Sequence, residues 1–375
     1  MRKFTLEWIN KLSFYLSRAG FVFFLVGQFL LYLIRYTIGG RLVVFVALPV
    51  FILYYAFFQP LPENFVAPRV ATINIPAGAT FRQVTDSLKK ADLLEHERVF
   101  LLLGKISRKE RNVRAGLYDV PAGLSSWQLL NYLETAPSKQ LKVTLPEGLL
   151  SDQMAVILQN KIGIDSSLFV SLVHDSAFAN SLVGEPSLEG YLSPETYYFE
   201  WKTPEKQIIQ RMVSNTLQIF EPDSIQKRLS QLDMTRLEIL ALASIIEGEV
   251  QVDSERVYVS ALYHNRLRLR WPLQADPSIQ FIVPGPPRRL LNRDLEIDSP
   301  YNTYKYPGLP PGPINNPGKK SILATLYPAN VPYLYMVAIG DGRHKFSKTL
   351  REHNYWHAKF NEYRQQLRRE QRQKK

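Results

Sequence analysis

The sequence predicts an α+β fold in which a small α+β subdomain precedes a larger α+β domain. Three short alternating strands are each followed by a Pro-x-Gly turn and an amphipathic helix, an order typical of α+β packing units. Longer helical segments then alternate with stretches so rich in proline and glycine that they cannot form packed helices. Hydrophobic residues make up 46% and charged residues 21% of the 375 residues, which indicates a buried core and excludes global disorder.

The absence of cysteine excludes whole classes of chemistry. No disulfide framework, thiolate zinc site, iron–sulfur cluster or cysteine nucleophile can form. His353 and His357 have the i,i+4 spacing of a helical metal site, but they belong to a polar terminal helix, where solvated side chains are expected. The sequence contains no Gly-x-Ser-x-Gly motif and no phosphate-binding glycine loop. We therefore expect no metal and no cofactor.

The net charge of +12 is concentrated at the two ends of the chain. Residues 1–41 carry six basic side chains and one acid, and residues 364–375 carry the same numbers. The ends therefore supply +10, and the body between them is nearly neutral. This distribution argues against a nucleic-acid partner, which would require a basic surface on the folded body. Basic ends beside apolar segments indicate a membrane surface instead.

Two uncharged apolar runs near the N-terminus predict a membrane anchor. The second run, residues 42–58, would span about 26 Å as a helix, close to the hydrocarbon thickness of a bilayer. Arg35 and Arg41 precede it and a belt of aromatic residues closes it, which favours an uncleaved single-pass anchor with residues 1–41 in the cytoplasm. A cleaved signal peptide is the alternative. The first run, residues 20–34, either lies at the membrane interface or also spans.

One strand–turn–helix pattern occurs three times in the body. Its turns begin at Pro76, Pro121 and Pro146, each followed by glycine two residues later and glutamine seven residues later. The candidate caps of the following helices are Thr80, Ser125 or Ser126, and Ser151 or Asp152. These small units resemble LysM-like glycan-binding modules, in which an exposed Trp127 would stack on a sugar ring. The alternative is a compact packing unit with Trp127 in its core.

The rest of the body alternates helices with rigid loops. The pattern predicts helices over residues 168–178, 206–220, 235–247 and 254–270, a strand over 333–338 and a hairpin turn at 341–344. In the helix at 254–270 the residues available for the polar side are Arg256, Asn265, Arg266, Arg268 and Arg270. The helix at 235–247, capped by Thr235, is apolar nearly all round, which predicts that it is buried.

Glu247 stands at the C-terminal end of that buried helix. The helix dipole and burial both disfavour a negative charge there, and a carboxylic acid kept protonated is what general acid catalysis needs. A solvated glutamate of the last helical turn is the alternative. Asp276 is a second candidate carboxylate, or else a turn or capping residue before Pro277.

Seven short motifs occur in order between residues 188 and 354. They are LEGYLSPETY at 188–197, ASIIEGE at 243–249, QADP at 274–277, YNTY at 301–304, GLPPGPI at 308–314, NPG at 316–318 and the segment 342–354. With these motifs the chain resembles the endolytic murein transglycosylase family (MltG, YceG-like) from about residue 73 to residue 354. Gly248 departs from the family pattern, in which a lysine is often found at this position.

The resemblance implies an enzyme that cuts the MurNAc–GlcNAc β-1,4 bond inside nascent peptidoglycan strands and leaves 1,6-anhydroMurNAc ends. It implies a single-pass protein of the inner (plasma) membrane with an extracytoplasmic or periplasmic catalytic domain, peptidoglycan synthases as partners, and a role in terminating elongation. The organisation it suggests is a cytoplasmic segment and anchor at 1–62, a LysM-like subdomain at 63–140, a YceG-like catalytic domain at 141–360 and a basic C-terminal tail at 361–375.

The family's catalytic glutamate falls on Glu247, which would protonate the leaving oxygen and then take the proton of the attacking C6 hydroxyl. Glu249 matches the second acid of the same motif. The residues that the motifs suggest for substrate binding are Glu249, Gln274, Asp276, Asn302, Tyr304, Glu189 and Tyr197. Two other functions stay open at this point. One is a hydrolytic muramidase with Asp276 as second carboxylate, and the other is a non-catalytic, membrane-anchored glycan-binding scaffold.

Overall fold

The computed structural model describes residues 32, 43–51, 54, 70–76, 78–94, 96–339 and 342–373. Most of the predicted cytoplasmic segment and anchor, including nearly all of the run at 20–34, lies outside these residues. A short π-helix, Val43–Ala47, falls within the second apolar run. Within the described part of the chain, no helix is both long enough and apolar enough to cross a bilayer.

The fold is of the α+β class, as the sequence predicts, and divides into two compact units, residues 1–139 and 140–375. The finer division into anchor, LysM-like subdomain, catalytic domain and tail stays a prediction. In the first unit, strand β1 (Val70–Ile75) pairs antiparallel with β2 (Gly116–Pro121). Helices α1 (Phe81–Lys90) and α2 (Glu97–Ser107) lie between the strands in sequence, and α3 (Ser126–Thr135) follows β2.

Capping residues start α1 and α3 of the first unit where the turn pattern places them. Thr80 accepts a hydrogen bond from the backbone N–H of Gln83, whose side chain accepts one from the N–H of Thr80. Ser125 and Gln128 form the same capping box before α3, so Ser125 and not Ser126 is the cap. Trp127 is half-buried and packs against the apolar core of this unit.

The second unit combines two small antiparallel sheets with a set of packed helices. Strand β3 (Leu141–Thr144) pairs with β4 (Thr196–Phe199), and β5 (Tyr335–Ala338) pairs with β6 (His344–Ser347). The helices are α4 (Ser151–Ile162), α5 (Ser166–Val173), α6 (Ser176–Val183), α7 (Glu205–Phe220), α8 (Asp223–Leu232), α9 (Arg236–Glu249), α10 (Arg256–Arg268), α11 (Asp276–Ile282), α12 (Lys319–Leu326) and α13 (Leu350–Gln373).

Helix α9 joins the two apolar cores of this unit. Ile239, Leu240 and Ala243 belong to the core built on α4, α5 and α7. Leu242, Ile245 and Ile246 belong to the second core, built with α10. Because both faces are covered, every residue from Ile239 to Ile246 is buried, and the prediction that this helix is buried is confirmed. Thr235 caps it, again as predicted.

Two of the predicted helices have different boundaries. The segment predicted as one helix over 168–178 is the end of α5 and the start of α6, because Asp175 caps a new helix by accepting from the N–H of Phe178. The helix predicted over 254–270 begins as a short 3-10 turn, Asp253–Glu255, and continues as α10.

Candidate active site

Glu247 lies in the last turn of α9 with its carboxylate turned into the protein. Its side chain is 7% exposed. Oε1 accepts a hydrogen bond from Nη1 of Arg256 at 3.0 Å, and Oε2 accepts one from the backbone N–H of Gly318 at 3.0 Å. These two donors fix the position of the carboxyl group at the end of α9. Glu247 is therefore not the solvated glutamate of the last helical turn that the sequence left open as an alternative.

Arg256, the first residue of α10, is the buried cation of the site. The sequence pattern assigned it to the polar side of the helix, but only 7% of its side chain is exposed. Nε contacts Asp253 at 3.2 Å, Nη2 lies 3.7 Å from Glu147, and Nη1 also donates to the hydroxyl of Ser321. A guanidinium can be buried here because Nε and Nη1 donate hydrogen bonds to three acceptors, and Nη2 faces the carboxylate of Glu147.

Glu147 is a second carboxyl group at the same guanidinium. It occupies the middle of the Pro-x-Gly turn between β3 and α4, and 40% of its side chain is exposed. Burial, followed by the charge of Glu247, raises the pKa of Glu147, and Arg256 opposes the shift. The sequence analysis did not single out this residue. The sequence feature that could have indicated it is a difference between the three repeats, because Ala77 and Ala122 occupy the corresponding positions in the first two.

Gly318 brings the two carboxyl groups and the NPG motif together. A Cβ atom at this position would lie 2.0 Å from Oε1 of Glu147. The same residue donates its N–H to Glu247, so its backbone lies directly beside both carboxyl groups. Only glycine leaves the space for this arrangement.

Asn316, two residues earlier, braces the loop that carries Gly318. It is completely buried. Its side-chain oxygen accepts the backbone N–H groups of Gly190 at 2.8 Å and Leu192 at 3.0 Å. Its amide nitrogen donates to the carbonyl of Leu149 at 3.0 Å and to Glu189 at 2.6 Å. One amide side chain therefore ties the NPG and LEGYLSPETY motifs to the third Pro-x-Gly turn.

Glu189 is held at the start of α4. Its carboxylate accepts from the N–H of Ser151 at 3.1 Å and from its hydroxyl at 2.6 Å. Burial raises the pKa of Glu189, and the bonds from Ser151 oppose that shift. Leu150 at the cap position has no side-chain oxygen, and the Glu189 carboxylate satisfies the N–H of the first helical residue, Ser151. In the other two copies the capping side chain accepts instead from the third helical residue. The contacts of Glu189 are those of a brace, and its predicted contact with substrate stays a prediction.

Glu249 lies two residues beyond Glu247 and has different neighbours. Oε1 accepts from the hydroxyl of Tyr263 at 3.0 Å. Burial, followed by the nearby charge of Asp276, raises the pKa of Glu249 to about 7. Gly248 between the two acids would place a Cβ atom 2.7 Å from Pro277, so the departure from the family pattern at this position accompanies close packing of α11 against the end of α9.

The remaining predicted site residues fall into an exposed set and a buried set. Gln274 and Asp276 are exposed, and the hydroxyl of Tyr304 donates to Asp276 at 2.5 Å. Asn302 is completely buried, and its amide donates to the carbonyls of Leu295 and Ile297. Tyr197 is 2% exposed. Its hydroxyl donates to the Ser193 carbonyl at 2.7 Å. The structure therefore leaves Gln274, Asp276 and Tyr304 accessible, whereas Asn302 and Tyr197 stabilise the fold around them.

The other motifs connect this region to the rest of the unit. Ser244 of α9 accepts the N–H of Ile314, and its carbonyl accepts the amide of Asn315. The earlier part of the same loop, residues 308–311, lines a separate open cleft of about 1120 Å³ that also contains His264 and Arg228. At β6, Nδ1 of His344 lies 2.9 Å from Glu255, the residue before Arg256.

The profile of the YceG-like family matches residues 73–359, which include every segment that contributes to this site. The chain belongs to the YceG-like family. Among solved structures, a crystal structure of a putative YceG-like protein from Listeria monocytogenes matches with a TM-score of 0.54 and 30% sequence identity, over 77% of this chain and 99% of that one.

Two relatives of this YceG-like chain are named for the same activity. The endolytic murein transglycosylase of Bacillus subtilis (strain 168) is 32% identical over 299 residues, which cover 75% of this chain and 82% of that protein. The endolytic murein transglycosylase of Streptococcus pneumoniae serotype 2 (strain D39) is 25% identical over 327 residues, which cover 78% of this chain and 59% of the relative.

Proposed function

We propose that this YceG-like protein is an endolytic murein transglycosylase that cleaves the MurNAc–GlcNAc β-1,4 bond within peptidoglycan strands. The observation that carries the proposal is Glu247 of the ASIIEGE motif, a carboxyl group in the last turn of a buried helix that binds Arg256 and the N–H of Gly318 in the NPG motif. Asn316 of the NPG motif in turn binds the LEGYLSPETY motif. The names of the Bacillus and Streptococcus relatives support the same activity.

The reaction needs a proton for the leaving oxygen and a base for the attacking hydroxyl. In the simplest scheme Glu247 performs both transfers: its carboxylic acid protonates the glycosidic oxygen, and its carboxylate then takes the proton of the C6 hydroxyl of N-acetylmuramic acid. The C6 oxygen closes onto C1, so the product ends in a 1,6-anhydro ring and no water is consumed. Attack within one sugar also benefits from a high effective molarity. Gln274, Asp276 and Tyr304 are the accessible candidates for holding the substrate.

Product analysis tests this function. Purified full-length protein in detergent is incubated with murein, and the products are identified by mass spectrometry. We expect internally cut strands with 1,6-anhydroMurNAc ends, and no cutting by Glu247→Gln, which keeps the size of the side chain and should keep the fold. Wild-type protein without any activity on murein would overturn the proposal in favour of a glycan-binding scaffold.

A hydrolytic muramidase is the second candidate, and one observation favours it. Hydrolases use two carboxyl groups about 5–9.5 Å apart, and Glu147 places a second carboxyl group at the guanidinium that binds Glu247. Asp276, the second carboxylate expected for this reaction, instead accepts from Tyr304. Products with reducing ends and no anhydro ends would establish hydrolysis.

We further propose that the enzyme acts from the membrane, with its catalytic unit outside the cytoplasm, where it meets peptidoglycan synthases and terminates strand elongation. The apolar runs at 20–34 and 42–58 and their basic flanks support the anchor. The antiparallel β1–β2 pair with two helices between its strands supports a LysM-like subdomain. Retention of the full-length protein in washed membranes checks the anchor, and its appearance in the soluble fraction would contradict it.

A further inference from the structure

The open cleft of about 1120 Å³ lies at the other end of the helix pair that carries the active site. At one end of this pair, Glu247 in the last turn of α9 contacts Arg256 at the start of α10. At the other end, Glu238 near the start of α9 and Asn265 near the end of α10 both line the cleft. From Glu238 to Glu247 the helix rises about 14 Å along its axis. The cleft is therefore separate from the active site but close enough for one substrate molecule to occupy both.

Two proline-rich loops form part of the wall of the cleft. Residues 308–311 belong to the GLPPGPI motif, and residues 328–332 precede β5. Asn265 fixes the second loop, because its amide donates to two backbone carbonyls in and beside that loop, both at 2.9 Å. The first loop continues to Gly318, whose N–H binds Glu247. Because proline restricts the backbone of both loops, the cleft is preformed, as ligand sites usually are.

Two arginines line the cleft, and their contacts are to neutral groups. Arg228 is half-buried; its Nε donates to the carbonyl of Leu326 at 2.6 Å and its Nη1 to the side chain of Gln231 at 3.2 Å. Arg268 is exposed and donates to the side chain of Asn265 at 3.0 Å. Within the part of the chain that the structure describes, neither guanidinium forms a salt bridge with a carboxylate. Two such guanidinium groups in one cleft are suited to a carboxylate supplied by a ligand.

The other polar groups of the cleft are suited to a peptide. Nε2 of His264 lies 2.9 Å from the carbonyl of Thr325, so Nε2 carries the ring proton and Nδ1 is an acceptor. Burial lowers the pKa of His264, which favours this neutral ring. Among the described residues that line the cleft, Glu238 is the one acid, and its carboxylate caps its own helix by accepting from Thr235. A peptide offers a carboxylate for the arginines and N–H groups for the ring nitrogen.

We propose that this cleft binds the peptides carried by the sugar strands of peptidoglycan, with Arg228 and Arg268 holding a peptide carboxylate. The proposal deepens the proposed transglycosylase function and rests on it. In peptidoglycan the peptide is attached to N-acetylmuramic acid, the sugar at which the strand is cut. About four residues of extended chain cover the distance of about 14 Å from the active site to the cleft. The contact is made equally in the bound substrate and in the transition state, so it lowers KM and leaves kcat unchanged.

The test compares strands that carry their peptides with bare strands from which an amidase has removed them. Full-length wild-type protein, Arg268→Gln and the double variant Arg228→Gln with Arg268→Gln are assayed on both kinds of strand, and kcat and KM are measured for each. Arg270→Gln is the matched control, because Arg270 is also exposed, lies two residues from Arg268 and does not line the cleft. Thermal unfolding confirms that each variant is folded.

We expect the KM of the wild type to be at least about tenfold lower for peptide-bearing strands than for bare strands, the effect of hydrogen bonds to a charged group. The double variant should bring the KM for peptide-bearing strands up to the value for bare strands, with kcat unchanged and bare strands cut as by the wild type. Arg268→Gln should give an intermediate KM, and Arg270→Gln should match the wild type. The peptides released by the amidase, added in excess, should inhibit cutting of peptide-bearing strands but not of bare strands.

Equal KM values of the wild type for the two kinds of strand would overturn the proposal and leave the transglycosylase function standing. A folded double variant whose KM is unchanged, or rises equally on both kinds of strand, would also overturn it, because a structural effect or a sugar contact does not depend on the peptide. Should the double variant not fold, Arg268→Gln and the inhibition by released peptides decide, and the failure of both overturns the proposal. If the wild type cuts neither kind of strand, the proposed function fails, and this proposal fails with it.

Discussion

Replacing Arg256 by methionine would remove the buried cation on which the acids of the site depend. Arg256 contacts Glu247 at 3.0 Å, Asp253 at 3.2 Å and Glu147 at 3.7 Å, and its own side chain is 7% exposed. Methionine fills a similar length without charge or donors. The Glu247 carboxylate, which is equally buried, would keep only the Gly318 N–H as a donor.

The expected loss in the free energy of unfolding follows from this burial. Breaking a buried ion pair by removing one partner costs about 3–5 kcal/mol, because the other charge stays buried without compensation. For a domain of this size, each kcal/mol lowers the unfolding midpoint by about 2–4 °C, so the variant should unfold about 6–20 °C below the wild type. Lys320→Met is the control. Lys320 also pairs with Asp253 but is 65% exposed, and an exposed pair contributes at most about 1 kcal/mol.

Calorimetry and urea unfolding of the three proteins measure these differences. The double variant Arg256→Met with Glu247→Gln should recover a substantial part of the loss, since replacing both members of a buried pair is close to neutral. Two results would contradict the buried ion pair. One is a free energy of unfolding of Arg256→Met within about 1 kcal/mol of the wild-type value. The other is a double variant that loses more free energy of unfolding than the two single variants lose together.

Three further substitutions test neighbouring contacts. Gly318→Ala should reduce strand cutting at least about tenfold by displacing Glu147 and the N–H that binds Glu247; Gly312→Ala, in the same loop with its nearest neighbour at 3.4 Å, should retain activity. Asn316→Ala should cost about 3 kcal/mol or more in urea unfolding, because it leaves several buried backbone groups unsatisfied, and an unchanged midpoint would contradict the bracing role. Glu249 has a folded pKa of about 7 against an ordinary 4.5, so the folded protein binds more protons than the unfolded one between these values and stability falls as pH rises through them. Glu249→Gln should therefore gain stability relative to the wild type from pH 4.5 to pH 7, with a constant difference above, and an advantage that does not change with pH would refute the shift.

Local pattern was enough to predict several elements and the main candidate residue. The capping roles of Thr80 and Thr235 and the burial of α9 follow from hydrogen-bonding side chains and apolar spacing within a few residues of one another. The same pattern placed Glu247 at the end of a buried helix, which is where the structure has it. These features depend on residues that are close together in the sequence, so the sequence is sufficient to predict them.

The errors concern charged residues whose partners lie far away in sequence. Arg256 and Arg266 fall on the polar positions of α10, yet both are buried. Arg266 is satisfied by the carbonyl of Leu334 at 2.9 Å, and Arg256 by acids from two other segments. Helical periodicity assigns arginine to solvent because an unpaired buried charge is costly. It carries no information on whether folding will bring the compensating partner.

The sequence alone determined the α+β class, the caps, the buried helix and the position of Glu247 at its end, since each depends on residues within one or two helical turns. Only the tertiary structure decided that a second carboxyl group, that of Glu147, contacts the same guanidinium as Glu247. The turn at Glu147, the loop at Gly318 and the start of α10 are distant in sequence, and their packing places two carboxyl groups on one guanidinium. Electrostatic coupling acts over a few ångströms of space, and distance along the chain does not measure it.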